Sequence, residues 1–177
     1  MTKICAQGEF DGACFLYSIA NSYASLNRRK PTQKRWDESL KWIPFSNEFL
    51  SDAGTVKYDE DISMYEFTIS RLLKEFFNNT TFKVHPFTNE VTPQDVKGML
   101  SDDSVVILNI DSKHWVVVVD SSENELHIAC SYELVSKGVK YKESESANYL
   151  RPYNRVMPIQ GENWIHTPSE FRIQKIV

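Results

Sequence analysis

Apolar residues recur along this chain at two different periods, and the change of period divides it. From Cys14 to Leu26 the apolar positions Phe15, Leu16, Ile19, Ala20 and Tyr23 fall on one face of a helix. Ahead of it, the first eleven residues read as a loop, with Asp11-Gly12 as a turn and Asp11 as a candidate cap. Residues 33–43 predict a second helix that stops near Pro44, and residues 45–60 are polar and aperiodic, so irregular structure is expected there. Ile62, Tyr65, Ile69, Leu72, Leu73 and Phe76 return to helical spacing, closed by Asn78-Asn79. Thr92-Pro93 supplies an N-cap and a first-turn proline for a helix ending near Leu100.

The second half changes character. Thr81 to Val84 reads as a short strand, and Ser104–Ile110, His114–Asp120 and Leu126–Ser131 are short continuous apolar runs, the pattern of buried strands. Residues 132–160 mix charge, aromatics and proline, which predicts irregular structure with one or two short strands. Thr167-Pro168-Ser169-Glu170 repeats the helix-start chemistry, and Arg172 to Val177 reads as a last strand. A helical N-terminal half followed by a stranded, antiparallel C-terminal half is an α+β order. With no internal repeat and only 6 Gly and 7 Pro spread over 177 residues, no linker shows, and one domain over 1–177 is expected.

Composition narrows the function. A net charge of -4 disfavours nucleic acid and anionic membrane surfaces as partners, because both need clustered Lys and Arg. The one basic run, Arg28-Arg29-Lys30 with Lys34 and Arg35, reads as a solvated helix end. No stretch approaches the roughly 20 apolar residues of a membrane span, and MTKICAQGEF lacks a signal peptide's apolar core. Three cysteines, Cys5, Cys14 and Cys130, make no disulfide framework, so reduced thiols and a cytoplasmic setting are expected, with delivery into a host or target cell equally compatible. Without paired CxxC spacing, neither a metal nor another cofactor is expected. His85, His127 and His166 read as structural or surface residues, and Trp36, Trp42, Trp164, Phe76 and Phe77 as packing residues. Nothing in the pattern sets an oligomeric state.

The candidate chemistry starts at Cys14, at the first turn of the predicted helix. Unpaired N–H groups there carry partial positive charge that stabilises a thiolate, the attacking form of cysteine. The competing reading is a buried thiol acting as a small apolar residue. Gln7, seven residues earlier, could aim its side-chain amide at the same place and form an oxyanion hole with the Cys14 N–H. His114 opens the valine-rich strand and could serve as general base.

These residues carry a resemblance. Gln7-Gly8-Glu9-Phe10-Asp11-Gly12-Ala13-Cys14-Phe15-Leu16-Tyr17-Ser18 resembles the active-site opening of the papain-like cysteine peptidases, with a loop one residue longer than in papain. Val105 to Ala129 is similar, more specifically, to the peptidase domains that trim double-glycine leaders from bacteriocins, and Thr167-Pro168-Ser169-Glu170-Phe171 resembles their last helical turn. The matching segments cover about a third of the chain; residues 27–80 and 132–163 match nothing. The resemblance implies a papain-like fold, with Cys14 as nucleophile, His114 as base and Gln7 as oxyanion donor.

The chain departs from that pattern at the third member, an Asp or Asn that orients the histidine. Asp120 lies six residues along the same strand, about 20 Å away. If the hairpin turns near Ser122, His114 instead faces Cys130 or Ser131, the position where the resemblance places the orienting residue. Two functions follow as expectations. One is a thiol hydrolase that cleaves an amide or peptide bond in a protein or peptide substrate through a thioester. The other is an inactive papain-like module that binds or supports a protein.

Overall fold

The computed structural model describes residues 4–5, 13–51, 54–76, 81–110, 114–132, 142–143, 151–160 and 170–176. Chain order runs α1 (Cys14–Asn27), α2 (Gln33–Leu40), a 3-10 turn (Ser46–Leu50), α3 (Val56–Asp59), α4 (Ser63–Phe76), β1 (Thr81–Pro86), α5 (Pro93–Met99), β2 (Ser104–Ile110), β3 (His114–Ser121), β4 (Glu125–Ala129), β5 (Lys142–Glu143), β6 (Arg155–Pro158) and β7 (Phe171–Ile176). The strands form one antiparallel sheet in the order β1-β7-β2-β3-β4-β6-β5. The architecture is α+β.

Alternation along the central strands builds two cores, one on each face of the sheet. Trp115, Val117 and Val119 of β3 point to the face that α1 and α4 cover, together with Val105, Ile107, Phe171 and Ile173. Val116 and Val118 point to the other face, with Val106, Leu108, Ile128, Cys130 and Val96 of α5. Burial on both faces is why these strands carry unbroken apolar runs instead of alternating polar residues.

Helix α1 is the centre of the first core. Phe15, Leu16, Ile19, Ala20 and Tyr23 are buried, and so are the polar residues Ser18, Asn21, Ser22 and Ser25. Two of these hydroxyls are satisfied inside the helix, where Ser18 donates to the Cys14 carbonyl at 2.9 Å and Ser22 to the Ser18 carbonyl at 2.8 Å. Asn21 accepts from the Cys5 N–H at 2.7 Å and donates to the Cys5 carbonyl at 3.1 Å, so a helix side chain holds the N-terminal segment as a neighbouring strand would. Asp11 lies outside the described residues, and the N-cap residue, Ala13, has no side-chain oxygen to offer the first turn.

Three expectations need correction. Residues 45–60 hold the 3-10 turn and α3 instead of an irregular stretch, because Phe49 and Tyr58 are buried and anchor two short turns that have no long periodic face. Helix α2 stops at Leu40 and not at residue 43. Trp42, expected to be packed, is 59% exposed and lies under the Arg71 guanidinium, 4.7 Å from its ring centre. By contrast Phe76 is buried and Trp36 packs against the first core. Residues 77–80, 161–169 and 177 lie outside the described residues, which takes with them Phe77, Asn78-Asn79, Trp164, His166 and the Thr167-Pro168-Ser169 start; Glu170 carries no helix.

The remaining expectations on helices and strands follow the structure closely. Thr92 caps α5, accepting from the Asp95 N–H at 3.2 Å while the Asp95 carboxylate accepts from the Thr92 N–H at 2.8 Å, a reciprocal capping box. Residues 132–160 hold the short strands β5 and β6. No described helix is long and apolar enough to cross a membrane.

Candidate active site

An aromatic cluster fixes the start of α1 against the start of β3. Phe15 meets Trp115 at 4.8 Å and Tyr65 at 5.1 Å between ring centres, and Tyr65 meets Trp115 at 5.0 Å. Each such pair contributes about 0.5–1.5 kcal/mol beyond the area it buries. The Trp115 indole N–H also donates to the Thr55 hydroxyl at 3.2 Å, tying the loop before α3 to the same point. Since Phe15 follows Cys14 and Trp115 follows His114, this packing brings the start of α1 at Cys14 against the start of β3 at His114.

The contact itself is a hydrogen bond from the Trp115 backbone N–H to the Cys14 sulfur, 3.5 Å long and buried. The donor nitrogen belongs to the peptide bond joining His114 to Trp115. Backbone geometry therefore puts the sulfur within about 6 Å of the His114 Cα. Cys14 occupies the first helical position of α1 and is 8% exposed. The helix N-terminus and the Trp115 N–H both place positive charge density against a thiolate.

His114 Nε2 lies 3.2 Å from the Cys130 sulfur. The Cys130 thiol in turn reaches the Tyr132 carbonyl at 3.6 Å. That carbonyl can only accept, so the S–H points to Tyr132 and the Cys130 sulfur accepts from His114 Nε2–H. This assigns the Nε2–H tautomer and leaves Nδ1 as the basic nitrogen. The Tyr132 ring lies 5.8 Å from the imidazole.

Strand register explains which residue meets His114, and it differs from the expectation. Val117 pairs with Ala129 and Val118 with Ile128, while after an irregularity between Val118 and Asp120, Asp120 pairs with His127. Carried back from Val117 and Ala129, this register sets His114 opposite Tyr132, two residues beyond Cys130. Cys130 is then the diagonal neighbour on the same face, a separation that a long side chain spans. The expected hairpin, with Cys130 or Ser131 opposite His114, was one or two residues too tight; of the two, Cys130 has the parity that puts it on the same face. Ser131 has the opposite parity and is buried, and the imidazole nitrogen bonds Cys130.

Beyond Ala129 the chain leaves β4, and Asn154 takes over as its partner. Asn154 accepts from the Cys130 N–H at 2.9 Å and donates to the Cys130 carbonyl at 3.0 Å. Arg155, next in the chain, is buried, donates to the Asn154 carbonyl at 2.8 Å and reaches the Tyr132 carbonyl at 3.4 Å. Neither residue stood out in the sequence, because residues 132–160 show no period on which to place them.

Burial, with a smaller contribution from the nearby Arg155 charge, holds the His114 pKa down at about 4. The imidazole is therefore uncharged at neutral pH. Burial raises the Cys5 pKa, partly offset by Lys30. Gln7 lies outside the described residues. Asp120 faces His127 across β3 and β4 and accepts from the Ser121 N–H at 2.8 Å. His85 is exposed, and the His127 ring stacks on Tyr153 at 4.1 Å. Among the described residues no group of three or more His, Cys, Asp or Glu side chains is placed to hold a metal ion.

Comparisons with models of known protein families, with curated proteins and with solved structures find no match for this chain.

Proposed function

We propose that this protein is a papain-like thiol hydrolase that cleaves an amide or peptide bond through a thioester on Cys14. The observation that carries the reading is the 3.5 Å hydrogen bond to the Cys14 sulfur from the peptide nitrogen adjoining His114. It brings a helix-terminal sulfur to the peptide that joins His114 to Trp115, and the His114 imidazole is buried, neutral and engaged at Nε2 with Cys130.

In the reaction, Cys14 Sγ attacks the carbonyl carbon as His114 Nδ1 takes the thiol proton. The tetrahedral oxyanion draws on the Cys14 N–H at the helix start and, by the resemblance, on the Gln7 amide. The C–N bond then breaks, the amine leaves with the proton from His114, and an acyl thioester remains. Water, deprotonated by His114, attacks the thioester, releasing the acid and restoring the thiol. Substrate classes that suit this chemistry are a protein, a peptide leader or a peptidoglycan stem peptide.

The test compares the protein with its Cys14→Ala variant on a peptide library and on peptidoglycan fragments. Hydrolysis by the parent alone is expected. Identical product profiles from the two proteins overturn the reading and leave a binding or structural module in its place.

A further inference from the structure

The group at His114 Nε2 is a thiol, where a carboxylate or amide would ordinarily orient a catalytic imidazole. A carboxylate there does two things, since it fixes the ring and stabilises the imidazolium. A neutral thiol can do only the first. Cys130 is equipped for that task. Its sulfur accepts from His114 Nε2 at 3.2 Å, its own proton is directed to the Tyr132 carbonyl at 3.6 Å, and its peptide group is held on both sides by Asn154 at 2.9 and 3.0 Å. The residue is 2% exposed, so water does not compete for the ring nitrogen.

Resting on the hydrolase reading above, we propose that Cys130 is the positioning residue of the site, a neutral thiol that orients His114 by hydrogen bonding, so that the dyad rests as thiol and imidazole rather than as an ion pair. Proton transfer from Cys14 to Nδ1 then accompanies attack instead of preceding it. The charges facing His114 agree with this. Among the described residues Arg155 of β6 is the ionic group acting on it, Cys130 and Tyr132 lie against the ring, and the Cys14 sulfur of α1 bonds the peptide nitrogen that follows it. A cation beside the ring disfavours imidazolium. Loss of the neutral form sets in only near pH 4, well below the range where an unperturbed histidine titrates.

Alkylation of Cys14 by iodoacetamide, followed by mass spectrometry as a function of pH, reads this directly and needs no substrate. A resting ion pair gives a rate that is already level at acid pH. A neutral dyad gives a rate that climbs through neutrality toward the range where free thiols ionise, about pH 8.5. The climbing profile is expected for the parent protein, with Cys5 as a slow internal control. Cys130→Asp introduces the missing anion, which favours imidazolium. Alkylation near pH 6 should then rise about tenfold or more, one pKa unit being a factor of ten. Cys130→Ser keeps a hydroxyl that can both accept and donate, and should retain the parent profile, whereas Cys130→Ala should slow alkylation about tenfold. A level acid-side profile in the parent, or profiles for Cys130→Asp and Cys130→Ala that match the parent, overturns the assignment. Failure of the hydrolase reading shows separately, as equal product profiles for the parent and Cys14→Ala.

Discussion

The backbone N–H of Trp115 donates to the sulfur of Cys14 across 3.5 Å, while its indole N–H donates to Thr55 across 3.2 Å. One residue thus connects the start of α1, the start of β3 and the loop before α3. The indole is 2% exposed, so removing its acceptor leaves a polar group without water to replace it. Thr55→Val, equal in shape but lacking the hydroxyl, should destabilise the protein by about 1–2 kcal/mol in urea titration. Thr55→Ser should recover most of it. A Val variant as stable as the parent would mean that the indole contact contributes nothing.

The depressed pKa of His114 makes stability depend on pH. In the unfolded chain the imidazole binds its proton near pH 6.5, and in the fold only near 4. Between these values the unfolded state holds more protons, so stability falls as pH falls through that window and is at its full value above it. The full shift corresponds to a loss of about 3 kcal/mol. His127 is lowered as well, chiefly by burial, and acts in the same direction. His114→Asn removes only the first contribution. Its stability, measured by denaturant titration from pH 7.5 down to 4, should decline less steeply than that of the parent, and parallel curves would contradict the buried neutral histidine.

Asn154 substitutes for a strand where β4 ends. Its side chain is the acceptor for the Cys130 N–H and a donor to the Cys130 carbonyl. Asn154→Ala leaves both backbone groups short of a partner, at about 1–3 kcal/mol. Asn154→Asp keeps the acceptor and loses the donor, so it should fall between the two. An unfolding midpoint order of parent, Asp, Ala is expected. If the Ala variant matches the parent, some other group supports this turn.

How much of this was legible in the sequence depended on periodicity. Phe15, Ile19 and Tyr23 announced α1, and the continuous apolar run of β3 showed that the sheet is covered on both faces. The same runs placed Cys14 at a helix start and His114 at a strand start. The proximity of the two is a tertiary fact, carried by the packing of Phe15 on Trp115, and the sequence could suggest it only through a family resemblance. The turn lies beyond Ser122, since Ser121 pairs with Leu126, and nothing in the sequence marked that, so the hairpin was expected one or two residues too tight; the irregularity between Val118 and Asp120 takes back one residue of the difference. Short elements anchored by one aromatic, such as α3 with Tyr58, also have too few turns to show a period. Asn154 and Arg155 were illegible for a related reason. Their role is to bond a backbone that has already left its sheet, and such bonds impose no pattern on neighbouring positions.

Phe45 offers a test of local strain in the same layer. Its backbone is left-handed, with φ 54, and its side chain is 49% exposed. A bulky residue at positive φ costs about 1–2 kcal/mol in steric conflict between Cβ and the following carbonyl. The position persists because the Phe45 carbonyl accepts from the Glu48 N–H at 2.9 Å and opens the 3-10 turn that buries Phe49. Glycine adopts the same angle without the conflict, and only half a side chain of apolar contact is forfeited. Replacing Phe45→Gly should therefore leave stability unchanged or raise it by up to about 1 kcal/mol, after the greater freedom of glycine in the unfolded chain is offset. A loss of 2 kcal/mol or more by thermal unfolding would show instead that the half-exposed ring packs firmly enough to outweigh its backbone strain.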